Sequence, residues 1–164
     1  MDMLLSSYCD MILSVKMGSW QGKSAISKPL LMYSIIEAIG NGQLEENKIL
    51  FSNVFIQAVF GALYCHHNGI EQKRFLNSQF FIRPFFHLDS SQFYHLIWKD
   101  GQRPPMKSNT PSAKYLRENL LYAKLDDDLW NLMQNRENRE YLKERIRERY
   151  LNNLNLWQQD IMTL

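Results

Sequence analysis

The 164-residue sequence has only two cysteines, Cys9 and Cys65, so no disulfide framework holds it together. Beside eight methionines, two lone thiols point to a reducing cytoplasm as the expected compartment. Glycine and proline are scarce, at seven and five, and they sit as short punctuation rather than as a linker. No internal repeat or low-complexity stretch interrupts the chain, and a single domain over 1–164 is expected. No apolar run approaches the roughly 18 to 20 residues of a membrane span. The opening MDMLLSSYCDMILSVKMGSW carries Asp2 and Asp10 and lacks a basic leader, which argues against a signal peptide. An excess of one charge is missing too: 19 Lys and Arg stand against 17 Asp and Glu, a net +2. The two signs are also spread evenly along the chain, so any basic patch is built only by folding.

What is present is hydrophobic side chain in quantity, 45% of residues with 13% aromatic, enough for a packed core. The first twenty residues read as an amphipathic helix closing at Gly18. Residues 29–39, PLLMYSIIEAI, have helical spacing, with Pro29 suited to a first helical position and Gly40 to a stop. GNG at 40–42 is a turn, and NKILF a short strand or extended segment. Ser52 is placed to cap a helix, SNVFIQAVFGALY, that is apolar almost all round and therefore expected at the centre. A loop follows from His66.

Residues 80–88 read FFIRPFFHL. Pro84 has no amide hydrogen and biases Arg83 away from helical dihedrals, so a bend is expected, with Phe85 or Phe86 anchoring it in the core. SQFYHLIWKDG alternates as a strand and ends in a turn. QRPPMKSNT is a polar loop. Thr110 with Pro111 opens a helix through about Tyr122, and Asp126 to Asp128 cap another. Residues 138–151 form a charged helix. The fold class expected is mainly α with a small β-hairpin that includes FYHLIWK.

Several chemistries find little support. Cys65, His66 and His67 have metal-binding side chains, but helix neighbours point about 100° apart and no second ligand pair follows at zinc-like spacing. His87 and His95 lack an acidic or cysteine frame, and there is no nucleophile elbow or phosphate-binding glycine loop. No catalytic residue, metal or cofactor is assigned. In the last helix, Arg136, Arg139, Lys143, Arg145, Arg147 and Arg149 alternate with Glu137, Glu140, Glu144 and Glu148. This is read as a solvated face laced with ion pairs rather than a phosphate-binding one.

The order of the pieces is more specific. SKPLLMYSIIEAI, RPFFHL, FYHLIWKDG and SAKYLRENLLYAKLDDDLW together resemble the amino-terminal modules of HNH-type restriction endonucleases, and more narrowly the sulfur-binding domain. The resemblance covers roughly residues 20–151. It implies a DNA-binding module for double-stranded DNA whose backbone carries a phosphorothioate. Such a module holds sulfur in a small apolar cavity and the flanking phosphates on basic residues, as the targeting part of a modification-dependent restriction system. Nuclease activity is expected only from a separate HNH domain, which would be a partner. By motif, Lys28 matches the basic residue before Pro-Leu-Leu, Pro84 the cavity proline, and Arg117 the cation of Leu-Arg.

The contact set this implies is Ser27, Lys28, Pro29, Arg83, Pro84, Phe85, His87, Arg103, Lys107, Lys114 and Arg117. Arg83 stands where the family often has an aromatic, and His87 where it often has a small residue. The cup is therefore expected to be narrower, more polar, or suited to another DNA context. Base edges are expected to meet His87 or the 101–110 loop, where Arg103, Lys107, Ser108 and Asn109 serve as flexible donors. Two other readings remain open: a protein-docking module of a nuclease or defence system, and a DNA-binding helper without preference for sulfur.

Overall fold

A computed structural model describes residues 2–17, 19–20, 23–24, 26–71 and 80–151, of which 19–20 and 23–24 are described by backbone alone. In chain order the elements are helix α1 (Met3–Leu13), strands β1 (Ser19–Trp20) and β2 (Lys23–Ser24), helices α2 (Ser27–Gly40), α3 (Val54–Asn68) and α4 (Ile82–His87), strand β3 (Tyr94–Trp98), helix α5 (Ala113–Asn119), strand β4 (Leu120–Leu125), and helices α6 (Asp127–Leu132) and α7 (Arg136–Tyr150). A 3-10 turn, Leu88–Ser90, follows α4 directly. The described residues are thus mainly helical, with two small antiparallel strand pairs among them. Among the described residues no helix is long and apolar enough to cross a membrane.

The centre of the fold is the pair α2 and α3, with α2 the more enclosed. Leu30, Leu31, Met32, Ile35, Ile36 and Ala38 are completely enclosed, and α1, α3, α4 and α7 all pack on them. Its one buried polar side chain, Ser34, donates Oγ–H to the Leu30 carbonyl at 2.8 Å, so it adds no unpaired group to the core. The expectation of a central α3 holds for most of its length: Val59–Cys65 are buried on every side of the helix, and only its start opens to solvent, with Val54 79% exposed. Its cap is Asn53 rather than Ser52, accepting from the Ile56 amide at 2.9 Å.

Two expected helices end early. α1 stops at Leu13, capped at Ser14, so Gly18 does not close it. α5 opens at Ser112, whose side chain accepts the Tyr115 amide at 3.1 Å, and gives way at Asn119 to β4. The segment LLYAKL has helical propensity in Leu, Ala and Lys, yet it is a strand because β3 needs a partner. The register runs Tyr94↔Leu125, His95↔Lys124, Leu96↔Ala123, Ile97↔Tyr122, with a shift before Trp98↔Leu120. This pair is not a tight hairpin, since residues 99–119 and α5 intervene; the tight hairpin is β1–β2.

The outer edges of the β3–β4 pair are closed by other means. Ile49, in the segment expected to be extended, bridges the far side of β4 by exchanging both hydrogen bonds with Ala123, at 2.7 and 2.8 Å. Asn47 completes that edge by bonding both the carbonyl and the amide of Leu125. On β3, the Asp89 carboxylate accepts the Leu96 amide at 2.9 Å. Both edges are thereby blunted against pairing with another chain.

α7 carries the ion pairs expected of it. Arg145 meets Glu148 and Arg147 meets Glu144 along the helix. Lys143 reaches across to Glu37 of α2 at 2.5 Å and also holds Glu140 at 3.0 Å.

Candidate functional site

The segment expected to bend is helical. Ile82–His87 form a short helix with Phe81 before it in right-handed helical dihedrals. Pro84 is accommodated because it is the third helical residue, where the amide has no intrahelical acceptor anyway. The pre-proline bias on Arg83 is a preference, and the packing of the phenylalanines outweighs it. Phe81 and Phe85, one turn apart, both face inward with their centroids 5.5 Å apart. Phe85 is fully enclosed, its ring edge-on to Phe51 at 5.3 Å and to Tyr94 at 6.4 Å. Its carbonyl accepts the buried Tyr94 hydroxyl at 2.5 Å. Phe80 lies 4.8 Å from Tyr64.

Three members of the expected contact set are buried. Phe85 has no exposed surface and therefore supports the surface above it without reaching a ligand. Pro84 is also buried, so it does not stand as an open wall in the unbound chain. Pro29 is buried in the same way, at the third position of α2 rather than the first.

The two Pro residues have a shared arrangement that the linear sequence hides. Lys28–Pro29 and Arg83–Pro84 open α2 and α4, two helices that pack together. Each proline is buried, and each preceding cation is turned outward to some degree: Lys28 is half-buried and Arg83 exposed. Lys28 Nζ donates to Ser90 Oγ at 3.4 Å. Burial, and then the neighbouring Lys16, lower the Lys28 pKa from its ordinary value. His87, also half-buried, has its pKa lowered by burial and then by Lys28 and Arg83. Its Nε2 lies 2.9 Å from Thr110 Oγ1. His87 therefore lies close enough to Lys28 and to Arg83 for each to oppose a charge on it.

The 101–110 loop is anchored to this place rather than free. Thr110 holds it at His87, and the Arg103 guanidinium lies over the Phe86 ring at 5.7 Å. The Tyr115 hydroxyl donates to the Pro104 carbonyl, and Ser108 Oγ to the Thr110 carbonyl. Phe86, Trp98 and Tyr115 form a run of edge-on rings beneath, with centroids 6.5 and 5.9 Å apart. At its far end Lys99 Nζ donates to the Arg117 carbonyl at 3.3 Å. Lys107 and Arg117 are exposed, and Ser27 is half-buried. Lys114 is exposed and shares Glu118 at 3.8 Å.

Several cations of this part of the surface stand without a carboxylate. Among the described residues, Lys16, Lys28, Arg83, Lys99, Arg103, Lys107 and Arg117 have no carboxylate partner. On α7, Lys143, Arg145 and Arg147 have one, whereas among the described residues Arg136, Arg139 and Arg149 have none. Lys16, Lys99, Ser90 and Thr110 were not singled out by motif, and nothing in their local sequence marks them; only the tertiary packing brings them here. Cys9 and Cys65 are both buried, which pushes both thiols up. Among the described residues no group of three His, Cys, Asp or Glu is placed to hold a metal.

No family model matches the chain, and no curated protein matches it. A solved structure does: the sulfur binding domain and SRA domain of ScoMcrA complexed with phosphorothioated DNA, at a TM-score of 0.71 and 15% sequence identity. The superposition covers 94% of this chain and 46% of that one, so the chain spans less than half of its structural neighbour. At that identity the likeness is one of fold, which bears out the mainly helical architecture with its small strand pair.

Proposed function

We propose that this chain is a DNA-binding module that recognises phosphorothioate-modified duplex DNA, as the targeting part of a modification-dependent restriction system. The observation that carries the reading is the set of cations without carboxylate partners at the adjoining starts of α2 and α4, flanked by the anchored 101–110 loop. The shared fold with a sulfur-binding domain supports it. The reading gives the chain no catalytic step of its own; cleavage would belong to an HNH nuclease partner.

Phosphates supply most of the affinity, through Lys28, Arg83 and Arg117, and this term carries no sequence information. Sulfur in place of a non-bridging oxygen keeps the negative charge but is larger, more polarisable and less strongly hydrated. Placing it against carbon costs less than placing oxygen there, because oxygen loses more hydrogen bonding on leaving water. Dispersion with close carbon adds to the difference. Since Pro84 is buried, the sulfur is expected to meet the apolar stems of Arg83 and His87 over the proline. It reaches the ring itself only as those side chains move aside. A discrimination of about 2 to 3 kcal/mol corresponds to roughly 30- to 150-fold.

The test is a titration with matched duplexes, one with and one without a single phosphorothioate. Tighter binding of the sulfur duplex supports the reading. Equal affinity replaces it with a DNA-binding helper, and no affinity at low salt with a protein-docking module.

A further inference from the structure

The cation face contains one group whose charge is not fixed. His87 lies one helical turn after Arg83, on the same side of α4. Its Nε2 is 2.9 Å from Thr110 Oγ1. Ser90 links it to α2, since Lys28 Nζ donates to Ser90 Oγ, and Ser90 Oγ donates to the His87 carbonyl at 2.9 Å. The charged groups facing the ring are Lys28 from α2 and Arg83 from α4. Arg103 sits against Phe86, whose ring meets the imidazole edge-on at 5.0 Å. Asp89, two residues further on, is committed to the Leu96 amide. Among the described residues no carboxylate contacts the imidazole.

Burial, Lys28 and Arg83 each oppose a charge on His87. An anion seated between the two cations removes most of their repulsion and adds an attraction of its own. Resting on the reading of this face as a DNA-backbone site, we propose that His87 is its proton-linked specificity residue: neutral and tied to Thr110 when the face is empty, it takes one proton from solvent as a backbone anion docks and then donates from both ring nitrogens. One N–H goes to Thr110 Oγ1 and the other toward the anion.

The sign follows from linkage. The bound form holds the proton more tightly than the free form, so affinity rises as pH falls between the two values and is flat outside them. The window begins below the ordinary histidine value of 6.5, because the free group is shifted down. Within it the binding constant changes by up to about tenfold per pH unit.

The experiment is fluorescence anisotropy with a short duplex carrying one phosphorothioate, at fixed ionic strength, from about pH 5.5 to about pH 8.5. Affinity of the unaltered chain should fall severalfold as pH rises. His87→Gln should lose the pH dependence whatever its absolute affinity, while His95→Gln should keep the normal profile. Calorimetry of the unaltered chain in two buffers of different ionisation enthalpy reads the proton directly and does not depend on a variant folding. A flat profile, no proton uptake, or a slope retained in His87→Gln overturns the proton link and leaves DNA binding standing. Failure to bind the duplex at any pH in low salt overturns both.

Discussion

Arg83 is exposed and has no ion-pair partner among the described residues, so its side chain contributes little to the folded state. Arg83→Ala should therefore leave the urea midpoint unchanged while weakening both sulfur-containing and plain duplexes. The slope of log affinity against log salt should fall by about one, the signature of one lost phosphate contact. A salt slope equal to that of the unaltered chain removes Arg83 from the phosphate set. Two residues along the same helix, Phe85 has the opposite character. It is sealed among Phe51, Phe81 and Tyr94, and Phe85→Ala should cost about 3–5 kcal/mol in urea unfolding through the cavity it leaves. A loss below about 1 kcal/mol would mean that the ring is not the support for α4 inferred here.

The elements are held to one another by a few polar links whose removal has a predictable sense. Lys143 of α7 and Glu37 of α2 meet with side chains only 12% and 14% exposed. Lys143→Ala leaves Glu37 with Asn41 as a neutral neighbour at 3.2 Å, whereas Glu37→Ala leaves Lys143 still paired with Glu140. The first should be the more damaging, at about 2–3 kcal/mol, and the double change should cost less than the sum of the two. Additive losses in chemical denaturation would show that the pair is not coupled. The same α7 segment was readable in sequence because its Glu and basic residues recur at one-turn spacing, a local property. The cation face was only half readable. Lys28 and Arg83 stand out beside their prolines, but that α2 and α4 lie side by side is a consequence of core packing far from either motif. β4 was misread for the same reason: LLYAKL is a strand only because Leu96 and Tyr94 across the sheet make it one. At Pro84 the local dihedral preference points to a bend, and the inward pull of Phe81 and Phe85 overrides it.

For the molecule as a whole, a net charge of only +2 is compatible with a local positive face. Lys28 and Arg83, at the adjoining starts of α2 and α4, have no carboxylate partner among the described residues, which favours an anionic partner there without a strongly basic chain. The core adds a different pH dependence, at the alkaline end. Tyr8 and Tyr33 both have pKa values raised from 10.0 to about 12, foremost by burial. Tyr8 is further shifted by its hydroxyl's hydrogen bond to Asp126 at 2.9 Å. Tyr94, fully enclosed, is raised well above the ordinary value by burial and by Asp89. Below about pH 10 these hydroxyls are protonated in native and unfolded chains alike, and their contribution to stability is fully present and constant. Above it the unfolded chain releases protons that the native chain retains, so the equilibrium moves toward unfolding as pH climbs toward about 12. Tyr33, the more deeply buried of the two, contributes up to about 2–3 kcal/mol to that loss, and Tyr8 less, because solvent screens it. The urea midpoint should therefore begin to fall above about pH 8, as thiols buried at Cys9 and Cys65 ionise in the unfolded chain, and drop more steeply above about pH 9.5, with Tyr33→Phe reducing the steeper part. A midpoint that stays level to about pH 11.5 would mean that these phenols reach solvent in the native chain, and would remove the closed packing of α2 on which the placement of Lys28 depends.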